Sequence, residues 1–87
     1  MTTKTLSENA AFVGCDFILA AEPNSGFHFR ILKFVPVGYR TPLALRTTVE
    51  HFVVRIFRFD NNGERVLTTK TFPCSEFLLA HKIESKN

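Results

Sequence analysis

The chain has no tryptophan, two cysteines, four glycines and four prolines in 87 residues, and each shortage removes a class of protein. Two thiols, Cys15 and Cys74, are too few to staple a disulfide scaffold, and they point to a reduced cytoplasmic protein. The scarcity of glycine and proline excludes low-complexity chains, and 45% hydrophobic content excludes disorder. No run approaches the ~20 apolar residues of a membrane-spanning helix. Val13-Gly14-Cys15 has the look of a lipoprotein cleavage site, but Glu8 and Asn9 confine the preceding apolar run to 10–13, and Lys4 is the sole upstream cation. The sequence therefore predicts a soluble, unprocessed chain with no membrane partner.

Reactive groups are equally sparse. Cys15, Cys74, His28, His51 and His81 form no close pair, whereas structural zinc sites draw their ligands in short-spaced pairs. The reading is no metal and no cofactor. Gly14, Gly26, Gly38 and Gly63 are isolated, so no phosphate-cradling loop exists. Cys74 with His28 or His51 would make a nucleophile–base pair, and Arg40, Glu50 and His51 would suit a small basic nuclease or toxin. No local signature marks either set, and the sequence predicts a protein that is not an enzyme, with no catalytic residues.

What the chain does have is phenylalanine, ten residues of it. A single domain spans 1–87, with 1–9 loosely ordered and 84–87 a flexible tail. Apolar segments at 15–21 and 27–35 flank Pro23-Asn24-Ser25-Gly26, a turn-forming cluster, and predict a hairpin. In an even register, Cys15, Phe17, Leu19, Ala21, Phe27, Phe29 and Ile31 share one face. The other then carries Asp16, Ile18, His28, Arg30, Leu32 and Phe34.

Residues 43–59 are ambiguous. Thr41-Pro42 resembles a helix start, and Leu45, Val49, Phe52, Val53, Ile56 and Phe59 recur at helical spacing. Their β-branched and aromatic composition favours a strand. Asp60-Asn61-Asn62-Gly63 followed by another β-prone run, 65–72, decides for a strand over about 49–59, in a second hairpin. Ser75 opens a short helix running to Ile83. The expected fold is α+β: a small antiparallel sheet of about four strands, two hairpins, and a short C-terminal helix.

Charge is uneven. Residues 30–58 hold Arg30, Lys33, Arg40, Arg46, Arg55 and Arg58 against Glu50 alone, a net +5 within a total of +3. Such a segment steers anions. Gly26-Phe27-His28-Phe29-Arg30-Ile31 resembles the first ribonucleoprotein motif of cold-shock and RNA-recognition domains. That resemblance implies Phe27 and Phe29 as base-stacking platforms, although His28 stands where that motif has a small residue and Ser25 where it has a basic one.

Large apolar side chains occupy both faces of the strands at 27–35 and 49–59, which one short helix can hardly cover, so either residues 36–48 and the N-terminus fold over the second face or a partner meets it. The sequence thus predicts a small binding protein, of adaptor or inhibitor type, that docks on a protein partner or self-associates as a homodimer. The alternative is a nucleic-acid-binding domain. Candidate contacts are Phe27, Phe29, Arg30, Lys33, Arg40, Arg55, Phe57 and Arg58.

Overall fold

A computed structural model describes residues 8–38 and 49–84. A short 3₁₀ turn, Glu8–Phe12, leads into β1 (Asp16–Leu19), β2 (His28–Val35), β3 (His51–Asp60) and β4 (Gly63–Pro73). Helix α1 (Cys74–Ala80) and β5 (His81–Ile83) complete the order. The five strands form one antiparallel sheet in the order β4-β3-β2-β1-β5. The α+β class and both hairpins match the expectation, with one more strand.

The ambiguous segment is a strand over 51–60, as β-branching favours; its residues 43–48, and Arg40 before them, lie outside the described residues. At its end Asp60 pairs with Gly63, so Asn61 and Asn62 make the turn. The Asp60 carboxylate accepts from the Asn62 N–H at 2.8 Å. The positive φ of +107° falls on Gly63, where no Cβ resists it.

The extra strand arises at the C-terminus. The helix expected to reach Ile83 stops at Ala80, and His81–Ile83 pairs with β1. The helix ends where the His81 backbone turns extended; the His81 N–H makes the last helical bond, to Phe77 O, and its ring Nδ1 lies 2.9 Å from the same carbonyl. Glu84, grouped with the tail on sequence, donates its N–H to Asp16 O at 2.8 Å. At the other end, α1 begins at Cys74 rather than after a Ser75 cap, and the Cys74 N–H donates to Glu50 O.

Because β4 and β5 occupy opposite edges, the chain between them must cross the sheet, and α1 is that crossing. It brings Phe77 over the first face, where a single ring meets an aromatic from every strand. Centroid distances are 5.1 Å to Phe17 of β1, 6.1 Å to Phe29 of β2, 5.7 Å to Phe52 of β3 and 5.6 Å to Phe72 of β4. His81 of β5 stacks on it at 4.0 Å. Ile31, Val54 and Cys74 complete this core, with Phe12 packed against its rim.

One face assignment needs correction. Phe34 was placed opposite Phe29 and Ile31, yet it pairs with Phe52 and packs on the first face. A bulge between Ile31 and Lys33 inserts a residue and reverses the alternation beyond it.

Candidate interaction surface

The second face carries Asp16 and Ile18 of β1, His28 and Arg30 of β2, Arg55, Phe57 and Phe59 of β3, and Glu64 and Val66 of β4, as the pairing registers require. No helix covers this set among the described residues. Phe57 is nevertheless fully buried. His28 stacks on its ring at 5.4 Å and 22°, Phe59 meets it edge-on at 5.5 Å, and the Arg30 guanidinium sits 4.8 Å above its centroid.

Those covering groups are themselves held. Arg30 Nε donates to Asp16 Oδ1 at 2.7 Å and Nη2 to Glu64 Oε2 at 2.8 Å, bridging β1 to β4 across two strands. Its side-chain bond to Asp16, then that to Glu64, raise its pKa further above the already high arginine value. His28 Nδ1 lies 3.0 Å from Glu84 Oε1. Cation–π contact and charge-assisted hydrogen bonds thus close over an apolar ring that no helix covers among the described residues.

Toward the β3–β4 turn this cover ends. Phe59 is 57% exposed, Val66 51% and Leu67 45%. Leu67 lies at a bulge in β4, where Ile56 pairs with Thr68 but Phe57 with Val66. Strand β4 pairs with β3 along its whole length and has no neighbour on its other side among the described residues. Every residue from Gly63 to Thr71 is exposed.

On the first face of the same hairpin, Arg58 and Arg65 are directly opposite each other. Like charges so placed repel, and neither has a carboxylate within 4 Å among the described residues. Arg58 lies 5.0 Å over the Phe27 ring. Gly26, at φ +89°, passes so close beneath that a Cβ there would meet Arg58 Nη2 at 3.0 Å.

The expected contact residues therefore divide. Phe29 is in the core, Phe57 is sealed on the second face, and Arg30 is neutralised by two carboxylates. Phe27 is half-buried beneath Arg58, so the two rings of the ribonucleoprotein-like hexapeptide form no open platform. Arg55 lies beside Arg30 on the second face, Lys33 is exposed there, and Arg40 lies outside the described residues. Sequence reasoning missed Arg65, Val66 and Leu67. The strict alternation assumed for a strand hides a bulge, and the bulge is what presents Leu67.

The reactive side chains do not converge. Cys74 belongs to the first-face core, whereas His28 and His51 stand on the second face. Burial, helped by the charge of Glu50, pushes the Cys74 thiol up to about 11, which keeps it neutral. Both cysteines are free thiols. Glu50 accepts from Asn9 Nδ2 at 2.8 Å and, with Asn9, Val37, Val49, Cys74 and Ser75, lines a cavity of about 290 Å³. Among the described residues no cluster of three or more His, Cys, Asp or Glu could hold a metal ion, and no helix is long and apolar enough to cross a membrane.

No protein-family model, curated protein or solved structure matches this chain.

Proposed function

We propose that this chain is a non-enzymatic binding domain that docks on a protein partner, in the manner of an adaptor or small inhibitor. The observation that supports this reading is the β3–β4 hairpin. An eleven-residue strand with no neighbour on its outer side among the described residues lies beside Phe59, Val66 and Leu67, all more than two-fifths exposed. Exposed backbone donors and acceptors next to an apolar patch are the two ingredients of strand-mediated docking. The test is affinity capture from a nuclease-treated extract, run in parallel with Val66→Asp. A partner retained by the native chain and lost with the variant supports the reading. Identical retention by both, or a strictly monomeric native chain that captures nothing, overturns it.

The directly opposed Arg58 and Arg65, with no carboxylate partner among the described residues, and Arg58 over the Phe27 ring favour a second reading, in which the hairpin holds single-stranded nucleic acid. Oligonucleotide binding that weakens steeply with added salt and is lost in Arg58→Ala supports it. No shift at micromolar protein ends it.

A further inference from the structure

We propose that the open edge of β4 takes an acidic, extended peptide segment as a sixth strand of the sheet; this rests on the reading of the chain as a protein-docking domain. Arg65 pairs with Arg58, and Lys70 with the core residue Val54, so both cations stand on the first face of β4. Neither is ion-paired among the described residues, and both are exposed.

If a second copy of β4 is laid antiparallel on this edge with faces matched and overlap fullest, Arg65 falls against Lys70 of the other copy, and Lys70 against its Arg65. Two like-charged cross-strand pairs penalise that register. The bulge at Leu67 blunts the edge as well. Cations and a bulge are common devices against edge-to-edge association, and the same cations select a strand of opposite sign.

The second face of β4 specifies the rest of the guest. It presents Val66, Thr69 and Thr71, with Phe59 of β3 exposed behind Val66. A strand whose alternate side chains are acidic and β-branched would set its carboxylates against Arg65 and Lys70. Its apolar residues would then lie against Val66 and the exposed Phe59. Glu64, the one acid on this strand, is turned to the second face and engaged by Arg30, so it does not oppose the carboxylates.

Fluorescence anisotropy with a labelled peptide of alternating glutamate and valine tests this, alongside a lysine–valine peptide and an N-methylated copy of the acidic one. The acidic peptide should bind roughly tenfold more tightly than the basic one, from two cross-strand charge pairs. Arg65→Glu with Lys70→Glu should invert the preference, N-methylation should abolish binding, and amide exchange should slow within 63–71. Circular dichroism checks that the double variant is folded; Arg65→Gln with Lys70→Gln, which should erase the preference, serves if it is not.

Equal binding of both peptides overturns the proposal. So does indifference to N-methylation, protection elsewhere in the sheet, or tighter binding of oligothymidylate than of the acidic peptide. If extract capture yields a partner sensitive to Val66→Asp while the acidic peptide fails to bind, this inference falls and the docking function stands.

Discussion

The two faces of the sheet solve one problem by different means. On the first, a helix crosses the strands and lowers Phe77 onto Phe17, Phe29, Phe52 and Phe72. On the second, no element crosses among the described residues, and Phe57 is sealed by Arg30 and His28, themselves anchored by Asp16, Glu64 and Glu84. The first face is stabilised by dispersion and by apolar area removed from water, neither of which salt screens. The second depends on partly exposed ion pairs, which salt screens. Among the described residues, cations with apolar stems take on the second face the covering role that a helix takes on the first.

Removing Phe77 should break the comparison most sharply. Phe77→Ala opens a cavity under all five strands and should cost about 3–5 kcal/mol. That approaches the whole stability of a domain this size, and thermal unfolding followed by circular dichroism measures it. Phe77→Leu, which keeps most of the volume, separates a graded loss from outright failure to fold. A negligible change in either would mean that the ring is not the central contact.

Cys74 gives the first face a pH dependence of its own. Below about pH 9 the thiol is neutral whether folded or unfolded, so its contribution is fully present. As pH rises from about 9 to about 11 the exposed thiol of the unfolded chain ionises and the buried one does not. Stability should therefore fall across that window, by about 2–3 kcal/mol in all. Denaturant titrations of the native chain and of Cys74→Ala should converge as pH rises through this range. Parallel curves would contradict the burial argument.

The smallest expected effect probes the second face. Arg30→Ala strips the cover from Phe57 and leaves Asp16 and Glu64 unbridged, for a loss of about 1–2 kcal/mol. Unlike the Phe77 loss, it should shrink in high salt. Arg30→Met keeps an apolar stem over Phe57 without the charge, so it should recover part of the stability and none of the salt response. If Phe77→Ala and Arg30→Ala respond alike to salt, the contrast between the faces is mistaken.

How far the sequence discloses this depends on range. Phe17, Phe29 and Ile31 share a face as alternation predicts, because Phe17 pairs with Phe29 across an ordinary antiparallel ladder. β-Branching identifies β3, and the Asp60–Gly63 cluster locates its turn. What alternation misses are the two bulges, which move Phe34 to the first face and expose Leu67. It misses β5 too, since three residues carry no periodicity and Ile83 continues the helical spacing of Leu79. Arg30 shows the limit for the surface. As an isolated letter it reads as a free cation for a ligand, and only the pairing of β1, β2 and β4 reveals that Asp16 and Glu64 already occupy it.

The return of the chain through α1 also bears on how the molecule is made. Phe17 pairs with Ile83, so β1 finds its outer neighbour only after β2, β3, β4 and α1 have all been synthesised. The β1–β2 and β3–β4 hairpins need only local closure and can form on emergence. The lock of Phe77 over all the strands must wait until the C-terminal segment is free of the exit tunnel. Contacts so distant in sequence make the closing step the slow one. Until then Phe17, Phe29 and Phe52 stay uncovered, and the nascent chain is at its most aggregation-prone just before α1 docks.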